Sequence, residues 1–518
     1  MDDPIVEQLK ASESVKQSLK LRKEDFVSNL AGGDISEINY VALVTPAAVL
    51  LWSALQSRHS FFTPYNGAGL VTDFMLSVGV ILFATTLYSS TPVLLNILLI
   101  SPALFIYFGT NRSRQREKAK PPRSAIPSKT GDGAAASSSD SDLDPFPIRP
   151  FLTTYRGTMM IATCLAILAV DFRVFPRRFA KVENWGTSIM DLGVGSFVFS
   201  AGVVSARAIL KERLSSVSKA SLPRRLVSSI RHSIPLFILG LVRLYSVKGL
   251  DYAEHVTEYG VHWNFFFTLA FLAPFVEIFD SLTFIIPSYE VLALLAAVAY
   301  QVALESTDLK AFILVSPRGD TFLSKNREGI FSFLGYLAIY LAGRGTGMLV
   351  IPRSASKSAK TPQQARKSLL IRMALWSVAW MALFTLNSTP AFGVGAAIPV
   401  SRRLANMPYV LWIAAFNNSQ IFLFCLLETF FFPEVHKATD KATEQQRSKF
   451  ATSTVMQAFN KNGLAIFLLA NLLTGTVNMS MNTLDATNGS AMAVLICYGV
   501  ALTGVALGLY HWNITLKI

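Results

Sequence analysis

The chain has 518 residues, of which 52% are hydrophobic and 15% charged, and its mean hydropathy is +0.42. A soluble globular chain is about one-quarter charged, so this composition excludes an ordinary soluble domain. The formal net charge of +14 does not mark a nucleic-acid binder, because the Lys and Arg excess lies between apolar blocks, as it does in the cytoplasmic loops of membrane proteins.

The polar segment 1–37 lacks the apolar core of a cleavable signal peptide, which leaves the first span to act as the targeting signal. Apolar blocks then follow near 38–56, 70–88, 91–109, 157–175, 187–206, 233–247, 263–284, 288–305, 330–351, 368–387, 408–432, 463–480 and 490–512. Each approaches the length needed to cross roughly 30 Å of hydrocarbon as a helix, and only helices satisfy so many apolar backbones without an exposed edge. The expected fold is an all-α polytopic integral membrane protein, with about 13 transmembrane helices in a single bundle and one domain over 1–518. The sixth block is the weakest, because Arg231, His232 and Arg243 crowd it.

Cations concentrate in the loops 110–156, 207–232, 352–367 and 433–461, which share one side of the bundle. The positive-inside rule places that side in the cytoplasm, the segment 1–37 in the lumen and the carboxyl terminus in the cytoplasm. Within the loop 110–156, the stretch 131–145 (GDGAAASSSDSDLDP) is small, polar and expected to be disordered, either as a phosphorylated segment or as a spacer. Sequons at Asn387, Asn478 and Asn488 fall near lumenal ends and are candidate glycosylation sites. Cys164, Cys425 and Cys497 all lie in apolar blocks without a CxxC pattern, so neither a disulfide framework nor a metal site is expected.

Charge inside a span costs about 2.5–3.5 kcal/mol, so each such residue needs an account. Asp171 closes the fourth block, Pro176 is expected to stop that helix, and the turn RRFAK should bring Lys181 near Asp171, either as an ion pair or as an interfacial cation. Thr187 or Ser188 can cap the fifth span. Asp191 should face the bundle interior, beside Gly193 and Gly195 that pack helices. Glu258, His262 and Asn264 form a polar cluster at the mouth of the seventh span, suited to a hydroxylated head group, with Glu277 and Asp280 deeper or near its far end. GRGTG at 343–347 lacks the strand and the lysine of a phosphate-binding loop, so Arg344 is expected to meet a buried carboxylate or a lipid phosphate. Neither a G-x-S-x-G elbow nor an HExxH helix is present.

The strings KEDFVSNLAGG, AILAVDFRVFPRRFAKVENWGTSIMDLGVGSFVFSAG, EYGVHWNFFFTLAF and NREGIFSFLGYLAIYL resemble the inositol acyltransferase family of glycosylphosphatidylinositol (GPI) anchor synthesis, whose fungal members are called GPI-anchored wall transfer proteins. The resemblance runs from about residue 24 to the carboxyl terminus, and the stretch 131–145 has no counterpart in it. It implies an endoplasmic reticulum membrane enzyme that moves a fatty acyl group, usually palmitoyl, from acyl-CoA to the inositol 2-hydroxyl of glucosaminyl-phosphatidylinositol. Acyl-CoA is then a co-substrate, with no permanently bound cofactor or metal, and membrane lipids are the surroundings. Carried over by motif, the catalytic pair is Asp171 and Lys181.

A thiol of pKa about 8.5 leaves readily, so activating a secondary hydroxyl is the harder task. Asp171, made more basic by desolvation, is the expected general base for direct transfer, with His262 in reserve. Lys181 would either stabilise the oxyanion or orient Asp171. Arg177 and Arg178 would grip phosphate or anchor at the interface. The aromatic run at 265–267 would line an acyl slot or face lipid. The competing reading is a lipid transporter or flippase that uses Asp171, Asp191, Glu277 and Arg344 as a polar path.

Overall fold

A computed structural model describes residues 21–109, 143–215, 220–249, 256–353, 361–388 and 397–516. Among the described residues the chain is all α, and thirteen helices are long and apolar enough to cross a membrane. In chain order they are α1 (Ile35–His59), α2 (Gly67–Thr85), α3 (Pro92–Gly109), α4 (Pro150–Ala169), α5 (Ile189–Leu214), α6 (Leu222–Gly249), α7 (Phe265–Leu282), α8 (Tyr289–Ser306), α9 (Arg327–Val350), α10 (Pro362–Ser388), α11 (Met407–Phe431), α12 (Gly463–Ser480) and α13 (Asn488–His511). The protein is a multi-pass membrane protein of the expected class.

Among the boundaries that differ from expectation, three have plain local reasons. The fourth span begins at Pro150, inside the stretch read as loop, because proline suits a first helical turn and the backbone N–H of Phe151 is taken by Glu428 of α11 at 2.7 Å. It ends at Ala169, before Pro176 is reached, because one Arg177 nitrogen collects the carbonyls of Val170, Phe172 and Phe175 at 2.8, 3.1 and 2.8 Å and folds the chain into a turn. The sixth span starts eleven residues earlier than its apolar core, since Arg225 is neutralised by Glu277 and Asp280 of α7. Residues 131–142 of the low-complexity stretch, and 1–20 of the amino-terminal segment, lie outside the described residues. Asp144 and Pro145 are tied down by Arg353, and Asp144 also by Arg207.

The centre of the bundle is the pair α5–α9, where two backbones touch. A Cβ on Gly202 would stand 2.1 Å from the Tyr340 carbonyl oxygen, one on Gly343 would stand 2.1 Å from that of Phe199, and one on Gly347 would stand 2.3 Å from that of Val203. GRGTG is therefore a helix-packing stripe of small residues. Arg344 beside it donates to Ser205 Oγ at 3.0 Å and lies over the rings of Tyr289 and Tyr340. Gly195 packs against Ile413 and Tyr409 as expected, whereas a Cβ on Gly193 would meet nothing within 4 Å, because Gly193 faces a cavity.

The loop between α4 and α5 is pinned rather than free. Phe172, Phe175 and Phe179 are fully buried. Gly33 N–H donates to Thr187 O at 2.9 Å and Thr187 Oγ1 returns a bond to Gly33 O at 2.8 Å. Gly32 and Gly186 flank this bridge with φ of 81° and 134°, and each faces a carbonyl oxygen where a Cβ would stand at 2.2 or 2.1 Å. Arg178 adds an ion pair to Glu37 of α1 at 2.7 Å and a bond to Ser89 O at 3.2 Å.

Candidate active site at the mouth of a membrane cavity

A cavity of about 830 Å³ opens where the α4–α5 loop, the amino-terminal segment, the start of α7, the loop before α11 and the end of α12 meet. Its walls are formed mainly by α4, α5, α11 and α12. Asp171 and Lys181 both line its mouth, and so do Lys23, Glu258, Asn264, Arg402 and Asn478.

Asp171 sits in the turn just beyond α4. Its Oδ2 accepts from Asn478 Nδ2 of α12 at 2.7 Å, and Lys23 Nζ donates to Asn478 Oδ1 at 3.1 Å. Burial pushes the Asp171 carboxyl above its ordinary range, against the opposing pull of the Asn478 hydrogen bond and the charges of Lys23 and Arg177. Burial likewise lowers the Arg177 guanidinium to about 10, with Asp171 working against it.

Lys181 is held elsewhere. Its Nζ pairs with Glu258 Oε1 at 2.7 Å, and Glu258 also faces Arg402 at 3.5 Å. Arg402 Nε reaches Asp191 Oδ1 at 2.6 Å. Asp191, buried as expected, also accepts from Ser188 Oγ at 2.8 Å and from Val182 N–H at 3.1 Å. Ser188 in turn caps α5 by accepting from Asp191 N–H. The cavity mouth thus carries two polar sets, Lys23–Asn478–Asp171 on one side and Lys181–Glu258–Arg402–Asp191 on the other.

The remaining candidates are placed as follows. Arg177 and Arg178 hold the loop and do not line the cavity. Asn264 caps α7 and donates to Gly240 O at 2.9 Å. His262 is turned away, with its backbone N–H on Asn326 Oδ1 at 2.8 Å and its ring beside Phe322. Phe265 and Phe266 line the mouth, whereas Phe267 packs on Phe237 of α6. Arg344 and Glu277 lie outside the cavity, and Asp191 is closed off by Arg402, so these residues form no continuous path with Asp171. Of the sequons, Asn488 is exposed and Asn387 buried, while the amide of Asn478 is engaged by Asp171 and Lys23. Cys164 and Cys425 are buried free thiols and Cys497 is an exposed one. Among the described residues no cluster of metal-ligating side chains occurs.

Sequence reasoning missed Lys23, Arg402 and the role of Asn478. Arg402 opens an Arg–Arg pair just before an apolar run, which is a visible signal, but its partner Asp191 lies 211 positions away.

The GWT1 family model matches residues 19–509 of this chain. The chain is 66% identical over 501 residues to "GPI-anchored wall transfer protein 1" of Aspergillus oryzae, covering 97% of this chain and 99% of the relative. It is 65% identical over 495 residues to the protein of the same name from Aspergillus fumigatus, covering 96% and 98%. To that of Yarrowia lipolytica it is 42% identical over 510 residues, covering 97% and 100%. With the match running from the amino-terminal segment that supplies Lys23 to the last span, the chain belongs to the GWT1 family.

Proposed function

We propose that this protein acts in GPI-anchor biosynthesis at the endoplasmic reticulum membrane, transferring a fatty acyl group from acyl-CoA to the inositol 2-hydroxyl of glucosaminyl-phosphatidylinositol. Family membership supports the pathway. The observation that carries the chemistry is the position of Asp171, a desolvated carboxyl at the mouth of a cavity that descends into the bundle.

In this reading the hydroxyl attacks the thioester carbonyl while Asp171 takes its proton. The new C–O bond gives a tetrahedral oxyanion, which a cation at the mouth stabilises. The C–S bond then breaks, and the thiolate recovers the proton from Asp171 to leave as CoA thiol. Asn478 orients Asp171, since it holds the carboxyl at 2.7 Å. That leaves Lys181, fixed by Glu258 at 2.7 Å, for the oxyanion or for the phosphodiester of the acceptor.

The test is transfer of labelled palmitate from palmitoyl-CoA to glucosaminyl-phosphatidylinositol by purified protein in detergent. Transfer that depends on Asp171 supports the reading. Transfer undiminished in Asp171→Asn rejects the base. Movement of intact lipid without acyl incorporation supports the flippase instead.

A further inference from the structure

The cavity does not stay apolar to its end. Along α4 the residues Tyr155, Thr158, Ala162 and Ala166 face it at helical spacing and form one stripe. From Tyr155 to Val170 that stripe is about 22 Å long at 1.5 Å per residue, and Asp171 stands just above its upper end. At the lower end the wall turns polar. The Tyr155 hydroxyl donates to Asn417 Oδ1 at 2.7 Å, and Asn417 Nδ2 is fixed in turn on Ile413 O at 2.8 Å. Gln420, buried one turn further along α11, lines the same end with an Oε1 that has no hydrogen-bond partner, and the buried ring of Phe424 backs it a turn beyond. An alkyl chain that reaches this girdle loses hydrocarbon contacts and covers an amide oxygen it cannot satisfy.

We propose that the Tyr155–Asn417 bridge and Gln420 are the floor of an acyl slot hanging below Asp171, and that this floor sets the longest chain the protein transfers. The inference rests on the acyl-transfer reading and adds a length limit to it. A stripe of about 22 Å holds an extended palmitoyl chain with its thioester at the mouth, whereas arachidoyl overruns the floor. Within the slot each methylene favours binding by up to about fourfold, and beyond the floor that gain stops.

The experiment competes myristoyl-, palmitoyl-, stearoyl- and arachidoyl-CoA for glucosaminyl-phosphatidylinositol on the purified full-length protein, with products read by mass spectrometry. Gln420→Ala removes the floor amide and is expected to raise the arachidoyl-to-palmitoyl product ratio about fourfold or more. Thr158→Phe blocks the stripe about 18 Å below its upper end and is expected to raise the myristoyl-to-palmitoyl ratio by a similar factor. Opposite shifts in the two variants establish the floor. Two active variants that keep the wild-type chain profile overturn it, as does an equal loss for every chain length in both. Absence of product from wild-type protein with any acyl-CoA is a different result, and it rejects acyl transfer itself and the floor with it.

Discussion

The side-chain amide of Asn478 holds the carboxyl of Asp171 at 2.7 Å across 307 positions of sequence, and the same amide receives Lys23 from the amino-terminal segment. One asparagine therefore places a lysine, itself and an aspartate in line at the cavity mouth. Asn478→Ala removes a hydrogen bond to a charged group, an interaction of about 1.5–3 kcal/mol. The expected result is a fall in kcat of roughly 10- to 100-fold with little change in KM for acyl-CoA. Electrophoretic mobility should be unchanged, because the amide is engaged within the protein.

Asp171→Asn should abolish acyl transfer yet raise thermal stability. Burial raises the folded-state pKa of Asp171 above its unfolded value. The neutral carboxyl is thus favoured in the fold below the unfolded pKa, and that advantage is lost as pH rises through the folded pKa. Asparagine avoids the cost of the buried charge. The difference in melting temperature between variant and wild type should be largest at neutral pH and shrink under acid. Wild-type activity should fall as pH drops into the raised pKa, since the base is then protonated. Thermal melts across pH, beside the rate profile, check both signs.

Arg402 bridges Asp191 and Glu258 in a buried set, with Arg402 and Asp191 almost wholly shielded. Removing one partner strands a buried charge, at about 3–5 kcal/mol. Arg402→Met should therefore lose folded yield in detergent, and adding Asp191→Asn should restore part of it. Size-exclusion profiles of the single and double variants measure this. If the double variant is no better than the single, the pairing is not what Arg402 supplies.

Gly343 and Gly193 offer a contrast within the bundle centre. A Cβ on Gly343 would press on a backbone oxygen at 2.1 Å, and one on Gly193 would enter open cavity. Gly343→Ala is expected to cost about 1–3 kcal/mol by separating α5 from α9, visible as a lower melting temperature. Gly193→Ala should leave stability within about 0.5 kcal/mol of wild type.

Hydropathy made the thirteen spans legible, because membrane length imposes one scale on all of them. It misjudged α6, whose first turns carry Arg225, since the neutralising Glu277 and Asp280 belong to another helix. It also ran α4 past Asp171 toward Pro176, because the capping carbonyl contacts of Arg177 arise from a fold-back that has no hydropathy signature. Of the site, Asp171 and Lys181 were readable as costly charges beside a short turn, and both reach the cavity. Their pairings were not, because Asn478, Glu258 and Lys23 come from distant stretches: Lys23 looks ordinary there, and Asn478 and Glu258 stand out only as a sequon and as part of a polar cluster. His262 and Arg344 show the converse: conspicuous by type, they serve local packing.

Arg22 on Asp485 and Lys23 on Asn478 join the amino-terminal segment to residues made almost last. A nascent chain emerging from the translocon thus has the Asp171 carboxyl in place early but lacks the Asn478 amide that holds it until the twelfth span has been inserted. Premature release from the ribosome before that point would leave the cavity mouth without Asn478, however well the earlier helices had assembled.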